Sequence, residues 1–184
     1  MMASIVAGGN AALTAENPGL DEVVVGLGWD VIPSRGPQSE LTAMALLLGA
    51  DGKALSNEHL VYFNQIESAD ASVAFLSDDD DDEIDVDLAH VPPAVDTIMF
   101  IVYVDPDVRG PGSFASVRSA HIRVARRDGS ELVRFDLATI DDKAINALLF
   151  GELYRHRDEW KFRALGQGYR TGLTGVAKDF DVSI

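Results

Sequence analysis

A run of five consecutive aspartates, residues 78–82, is the part of this chain best suited to binding an ion. Adjacent carboxylates repel one another, and a hard cation relieves that repulsion. Ca²⁺ accepts roughly six to eight oxygen ligands in irregular geometry, whereas Mg²⁺ requires near-octahedral geometry, so the run favours Ca²⁺. The EF-hand spacing and its glycine are absent. The alternative is a solvated acidic loop that binds nothing specific, although the strand predicted directly after the run indicates a loop held at the end of a sheet.

Asp30 is a second candidate ligand, because it follows a predicted strand and the stretch Gly26-Leu27-Gly28-Trp29. Glycines at the end of a strand permit backbone angles that other residues avoid. Asp30 could therefore supply an oxygen from a neighbouring loop. Equally, Trp29 could pack in the core while Asp30 caps a turn. The stretch is not a dinucleotide-binding fingerprint, since the third glycine and the following helix are missing.

Patterns typical of enzymes are missing from the sequence. The histidines lack the pairwise spacing of metal ligands, so we expect structural or surface roles for His59, His90, His121 and His156. The sequence contains no Gly-x-Ser-x-Gly turn and no phosphate-binding loop. Cysteine is absent, which excludes a disulfide framework, a thiolate zinc site and a cysteine nucleophile. We therefore expect a protein that is not an enzyme.

The net charge of −15 is unevenly distributed. Residues 78–87 hold eight carboxylates, whereas residues 118–170 hold nine of the arginines. Such a charge repels the phosphates of nucleic acid and favours cations and basic partners. Around one predicted hairpin, a basic group could form an anion-binding or partner-docking patch, or simply a solvated strand face: Arg155, Arg157, Lys161 and Arg163.

The cellular compartment is indicated by what the sequence lacks. No segment approaches the ~20 apolar residues that span a bilayer. The first ten residues carry no Lys or Arg, and Gly8, Gly9 and Asn10 interrupt their apolar stretch, so no secretory signal is predicted. We expect a cytoplasmic protein without a transmembrane segment.

Apolar residues recur mostly with a period of two, which predicts half-buried strands. This alternation places Val133 with Phe135, and Trp160 with Phe162, on faces that point to a core. The apolar run 97–104 is typical of a central strand. Strands are predicted at 21–26, 41–48, 60–64, 72–76, 83–88, 97–104, 114–126, 132–137, 145–155 and 159–164, with short helices at 138–147 and 174–181.

Turn signals separate these strands at short intervals. Asp-Gly pairs at 51–52 and 128–129 predict tight turns, and residues 155–159 are predicted to form a longer loop. Many short strands with frequent turns are typical of an antiparallel β-sandwich. The sequence therefore predicts an all-β fold with minor helix, with acidic loops at one end, in a single domain over residues 1–184.

Two stretches of the chain are especially specific: Phe150-Gly151-Glu152-Leu153-Tyr154-Arg155-His156 and Glu159-Trp160-Lys161-Phe162-Arg163-Ala164. Others are Val25-Gly26-Leu27-Gly28-Trp29-Asp30, Ala50-Asp51-Gly52-Lys53 and Val61-Tyr62-Phe63-Asn64-Gln65. Each stretch alone is weak, but their order and spacing over nearly the whole chain are specific. Together they resemble the TerD domain family, the bacterial tellurite-resistance and stress-response proteins.

The resemblance implies a β-sandwich that binds Ca²⁺ through acidic loops at one end, with no enzymatic activity. It also implies protein partners, either related TerD-domain proteins or membrane-associated assemblies. The candidate ligands that match the family's acidic positions are Asp30, Glu40, Asp78, Asp80, Asp81 and Asp82.

The chain departs from the family pattern where the metal is expected. The family's early Asp-Leu-Asp is Glu40-Leu41-Thr42 here, so the second acid is replaced by a neutral residue. The glycine-rich middle of the family's acidic loop is also missing. These departures predict that one of two Ca²⁺ positions is lost or that both are weakened. The alternative function is a metal-free interaction scaffold, a degenerate paralogue whose acidic end docks basic partner proteins.

Overall fold

The structure, a computed structural model, describes residues 3–31, 41–77, 82–104, 114–137, 140 and 144–183. Within these ranges, twelve strands form two six-stranded sheets, and one α-helix follows them. The strands are β1 (Ala3–Ile5), β2 (Asn10–Ala12), β3 (Glu22–Val31), β4 (Leu41–Leu48), β5 (Leu60–Val61), β6 (Val73–Ser77), β7 (Asp82–Asp87), β8 (Thr97–Val104), β9 (Val117–Ala125), β10 (Glu131–Leu137), β11 (Ala147–His156) and β12 (Glu159–Tyr169). The helix is α1 (Gly172–Phe180), and 3₁₀ turns lie at Asn57–His59 and Phe114–Ser116.

Two sheets pack face to face, which confirms the predicted β-sandwich. Sheet A has the strand order β1-β10-β9-β3-β7-β6, and sheet B has the order β2-β12-β11-β8-β4-β5. Their pairings are antiparallel except that β1 runs parallel to β10. One apolar cluster fills the space between the sheets. It includes Phe135, Trp160 and Phe162, as the alternating pattern predicts, and also Phe150. Burial of these large apolar side chains is the main favourable contribution to folding.

The outer face of sheet B is also apolar, and helix α1 covers it. Val176 of the helix packs with sheet residues such as Met44, Ile101 and Leu149 in a second buried cluster. Three polar contacts hold the end of the helix: the Tyr169 hydroxyl donates to the Asp179 carboxylate at 2.7 Å, the Lys53 ammonium donates to the Asp179 carbonyl at 2.6 Å, and the Ala54 N–H donates to the Phe180 carbonyl at 2.9 Å. Burial and the Asp179 carboxylate raise the pKa of Tyr169 to about 12.

The outer face of sheet A, by contrast, carries ion pairs that link its strands. Arg123 of β9 reaches across β3 to Glu83 of β7 at 3.1 Å. A Cβ atom at Gly26 would lie 2.6 Å from the Arg123 guanidinium carbon, so the absence of a side chain at Gly26 makes room for this pair. Arg127 pairs with Glu22 at 3.0 Å and with Asp85 at 3.3 Å. Because these arginines are already paired, they reduce the charge of the face without forming a basic patch.

The predicted strands are largely confirmed, and the differences have local causes. The predicted strand 21–26 continues to Val31, because Gly26 lies inside β3 beneath Arg123 and not at a strand end. The predicted strand 60–64 ends at Val61, because Tyr62 and Gln65 exchange two backbone hydrogen bonds of 3.0 Å and close a tight turn. The predicted strand 114–126 begins at Val117, after the 3₁₀ turn. Strands β1 and β2 were not predicted.

Two predictions about the connections are wrong in part. Residues 155–159 are not a long loop: His156 pairs with Glu159, and the two-residue turn between them has positive φ at Arg157 (52°) and Asp158 (65°). The helix predicted at 138–147 is absent from its described residues, since Asn146 bonds to the Tyr169 carbonyl at 2.8 Å and β11 begins at Ala147. The rest of that segment lies outside the described residues. The helix predicted at 174–181 is confirmed as α1.

Candidate functional site

The strands that flank the acidic run all begin or end at the same end of the sandwich. β6 ends at Ser77 and β7 begins at Asp82, and these two residues are paired. On the facing sheet, β4 begins at Leu41, which pairs with the last residue of β8, Val104. Residues 78–81 and Glu40 are joined to these strand ends by the chain. We call this the acidic end, defined by the start of β4 and β7 and the ends of β6 and β8.

Asp82 connects the two sheets at the acidic end. It alternates with Ile84 and Val86, which are buried in the core, so its side chain lies on the inner face of sheet A. Its Oδ2 accepts a hydrogen bond of 3.0 Å from the Ala43 N–H of sheet B. On β4, strand β5 pairs only with Ala45 and Leu46. Asp82 therefore provides a hydrogen-bond acceptor for Ala43, which does not pair with β5. A carboxylate held between two sheets is a well-oriented oxygen donor.

Asp30 lies on the other side of sheet A. It follows Trp29, which packs against the core, and it is exposed on the outer face. Its carboxylate is 3.5 Å from the guanidinium of Arg118, with both side chains more than half exposed. Such an exposed pair contributes only about 0–1 kcal/mol, so it presents a small barrier to rearrangement. The described arrangement does not bring Asp30 to Asp82.

The other predicted ligands, Glu40, Asp78, Asp80 and Asp81, lie outside the described residues. Thr42, which stands where the family has a second acid, is half-buried in β4. Within the described ranges there is no group of three or more His, Asp or Glu side chains that could hold a metal ion. A complete metal site would therefore need donors from 32–40 or 78–81 in addition to Asp82.

Sequence reasoning did not consider two further acids, Asp105 and Asp107. In the chain they follow Val104, the residue of β8 that pairs with Leu41. Both lie outside the described residues. One signal in the sequence could have identified them: both carboxylates come just after the buried strand β8. The last residue of β8 pairs with the start of β4, the strand that follows Glu40.

The basic group predicted around the β11–β12 hairpin is largely used inside the fold. Arg155 donates from Nε to the Val95 carbonyl at 2.9 Å, and from Nη2 to the carbonyls of Val91 at 2.8 Å and Pro92 at 3.1 Å. Its guanidinium also lies 4.4 Å from the centre of the Trp160 ring. Arg155 therefore fastens the 91–96 segment to β11.

Arg163 is engaged in the same way on the outer face of sheet B. It donates to the Glu152 carboxylate at 3.1 Å and lies 4.4 Å from the centre of the Tyr154 ring. Burial raises the pKa of Glu152, although the Arg163 charge opposes that rise. The cleft beside Arg155 is lined by three carboxylates, Asp21, Asp158 and Glu159. This environment disfavours anions, so the hairpin offers no anion-binding patch.

The histidines with described contacts have local partners, as expected. The ring of His59 is hydrogen-bonded to the Ser56 hydroxyl at 2.7 Å within a 3₁₀ turn. His90 lies 2.8 Å from the Asp87 carboxylate, and that hydrogen bond raises the pKa of the exposed imidazole. Both contacts join residues three positions apart and stabilise turns.

Comparison with known proteins agrees with the resemblance in the sequence. A family model described as TerD domain matches residues 1–180. The chain is 38% identical to tellurium resistance protein TerD of Serratia marcescens over 191 aligned positions, covering 100% of this chain and 99% of that protein. It is 36% identical to general stress protein 16U of Bacillus subtilis (strain 168), with full coverage of both. None of the helices in the described part of the chain is long and apolar enough to cross a membrane.

A solved structure supports the fold. A homologue of telluride resistance protein (TerD) from Streptomyces coelicolor A3(2) superposes with a TM-score of 0.67 at 22% identity, covering 86% of this chain and 96% of that one. At this identity the likeness concerns the fold alone. The two packed sheets are therefore an architecture that solved proteins share.

Proposed function

Because the chain belongs to the TerD domain family, we propose that it is a non-catalytic, cytoplasmic stress-response protein that binds Ca²⁺ at its acidic end. The residues that would hold the ion are Asp82 and the acids joined to the same strand ends, Glu40, Asp78, Asp80 and Asp81. The bound ion would neutralise their mutual repulsion. Asp30 would join this set only by leaving Arg118.

The observation that carries the proposal is the hydrogen bond between Asp82 and Ala43. Ala43 lies three residues after Glu40, and three extended residues span at most about 10–11 Å. The acids before β4 and those before β7 are therefore tethered within a short distance of each other. All of these donors are carboxylate oxygens, which suit Ca²⁺.

Thermal unfolding of chelator-stripped protein tests the proposal. An ion that binds only the folded state stabilises it by about 2.7 kcal/mol at a hundred times its Kd. For a chain of this size that corresponds to an increase in Tm of roughly 5–10 °C. We expect millimolar Ca²⁺ to produce such an increase and equal Mg²⁺ to produce clearly less.

A matched pair of double variants locates the effect. Asp80→Asn with Asp81→Asn removes two charges at the acidic end and should abolish the response to Ca²⁺. Asp21→Asn with Asp158→Asn removes two charges at the opposite end and should leave the response unchanged. An equal response in both variants, or calorimetry without heat of Ca²⁺ binding in the unmodified protein, would refute the proposal.

A second candidate is a metal-free scaffold that docks basic partner proteins. It is favoured by the neutral Thr42 and by the pairing of Asp30 with Arg118 at 3.5 Å. Under this candidate, binding of a basic partner persists in the presence of a chelator. If a chelator abolishes that binding, the metal-free scaffold is excluded and the Ca²⁺-dependent function is supported.

A further inference from the structure

One side of the sandwich presents the edges of both sheets. Strand β1 is the last strand of sheet A, β2 is the last strand of sheet B, and the turn 6–9 joins them. Within the described ranges, β1 pairs only with β10 and β2 pairs only with β12. We call this side, residues 3–12, the β1–β2 edge. An edge strand of this kind offers unpaired backbone groups to another chain.

The opposite side of the sandwich is protected. Strand β6, the last strand of sheet A there, is hydrogen-bonded by the segment 66–68: the Phe75 N–H donates to the Ile66 carbonyl at 2.8 Å, and the Ser68 N–H donates to the Val73 carbonyl at 2.9 Å. Strand β5, the last strand of sheet B, is only two residues long. A covering segment and a very short strand are both common ways of protecting an edge.

The backbone of β2 directs four polar groups away from its sheet. The Gly9 carbonyl accepts a hydrogen bond from β12 at 2.9 Å, and the Leu13 N–H donates one to β12 at 3.1 Å. Because bonding directions alternate along an antiparallel strand, Ala11 also bonds to β12. The N–H and C=O groups of Asn10 and Ala12 therefore point outward. Asn10 is exposed and Ala12 is half-buried.

These four groups are complementary to a second copy of themselves. If another β2 lies antiparallel across a two-fold axis at Ala11, Asn10 of each copy faces Ala12 of the other. Every outward N–H and C=O then gains a partner, and four hydrogen bonds join the chains. Sheet B would continue from one copy into the next. The contact uses the same surface on both copies, as two-fold dimers require.

The charge of the chain also favours a second copy at this side. Residues 1–15 carry no charged side chain, although the net charge is −15. Residues 54–108, which include β5 to β8, carry fourteen Asp and Glu and no Lys or Arg, so a contact between two copies there would oppose like charges. Val6, in the turn 6–9, is 76% exposed and adds apolar surface to the neutral side. A neutral edge attracts neither a basic segment nor a nucleic acid.

We propose that the β1–β2 edge is an interface at which a second copy of the chain pairs with β2 in antiparallel orientation. The contact goes beyond the proposed Ca²⁺ binding and does not use the acidic end. It is therefore measured in the presence of a chelator, so that its failure and the failure of the Ca²⁺ proposal are distinguishable.

Sedimentation equilibrium at about 100 μM protein tests the association. We expect dimers whose affinity increases between about 50 mM and 500 mM NaCl, because salt screens the repulsion between two acidic molecules. A monomer in both salts overturns the proposal, including the case in which the edge accepts a strand of a different protein. Dimers that weaken with salt also overturn it, because opposite charges would then hold them together.

Substitutions at Ala12 test the location. Ala12→Pro removes the outward N–H, and proline is tolerated on an edge strand where that N–H faces solvent. Ala12→Lys adds the charge that most often protects an edge. Each should weaken self-association by at least about tenfold. Ala69→Lys is the matched control, since Ala69 is exposed just before β6, on the opposite side. Unchanged association in the first two variants, or equal weakening in the control, refutes the location.

Disulfide trapping tests the register without weakening the contact. The chain has no cysteine, so one introduced cysteine is its only thiol. In the proposed register Ala11 faces Ala11 of the second copy in a non-hydrogen-bonded pair, with Cα atoms roughly 4.5 Å apart, which a disulfide can span. With dissolved oxygen as the oxidant, Ala11→Cys should form linked dimers at least about tenfold faster than the more exposed Ala69→Cys. Equal rates refute the register and with it the proposal.

Discussion

Replacing Arg155 should remove the main polar connection between β11 and the segment 91–96. Arg155→Met keeps a long apolar side chain beside Trp160 but removes every donor. The three carbonyls that Arg155 bonds would lose their partner. Arg155→Lys keeps the charge but offers one nitrogen in place of a planar fork.

The expected loss follows from the contacts. Hydrogen bonds to a charged group contribute about 1.5–3 kcal/mol when buried, and Arg155 is only partly buried, so we assign about 1 kcal/mol to each of the three bonds. The stack on the Trp160 ring at 4.4 Å adds about 0.5–1 kcal/mol. Arg155→Met should therefore reduce the free energy of unfolding by about 3–4 kcal/mol. Arg155→Lys can restore roughly one bond and should cost about 2 kcal/mol.

Urea unfolding followed by tryptophan fluorescence measures this loss. The midpoint should decrease while the slope with urea stays constant, because the surface exposed on unfolding is unchanged. Arg157→Met is the control on the same hairpin: Arg157 is exposed at the turn, and its replacement should change stability by less than about 0.5 kcal/mol. If Arg155→Met costs less than about 1 kcal/mol, or if lysine fully replaces arginine, the role assigned to these bonds is wrong.

Three further predictions concern other parts of the fold. Asp158→Gly should stabilise the protein by about 0.5–1 kcal/mol in urea unfolding, because glycine adopts the positive φ of this turn without strain; a decrease in stability would contradict the turn geometry. An NMR titration should give Tyr169 a pKa of about 12. The neutral hydroxyl therefore contributes its full share of the free energy of unfolding below pH ~10, and this contribution is lost as the pH rises to ~12. Asp179→Asn should lower that pKa, and a Tyr169 pKa unaffected by this variant would exclude the hydrogen bond. Gly151→Ala would place a Cβ atom 2.6 Å from Cζ of the buried Phe162 and should cost about 1–3 kcal/mol; Phe162→Leu in the same chain should recover part of this loss, and additive losses would contradict the proposed clash.

The sandwich could be predicted from the sequence because one face of each strand must be buried. Trp160 and Phe162 alternate with charged residues, and a period of two has only one structural interpretation over such a length. Gly26 was misread for an equally physical reason. A glycine in a strand indicates a strand end as readily as a close contact, and the contact with Arg123 is made by a residue almost a hundred positions away.

The candidate site was less predictable, because a run of identical residues conceals their different environments. Asp82 is the member of the run that opens β7, and the register of Asp82 opposite Leu27 turns its side chain toward sheet B. Alternation along β3 turns Asp30 to the other face, where Arg118 is available. The hydrogen bonds of Arg155 within the fold could not be predicted, because their acceptors are backbone carbonyls some sixty positions earlier in the chain.

Helix α1 has a consequence for how the protein is made. Its sequence contains Gly172 and Gly175, which weaken an isolated helix, and the ribosome produces it after all twelve described strands. The surface that it covers, which includes Met44 and Ile101, stays bare while the nascent chain is completed. Holdase chaperones that bind exposed hydrophobic surface should therefore bind this protein late in translation. They should release it once helix α1 has packed on sheet B.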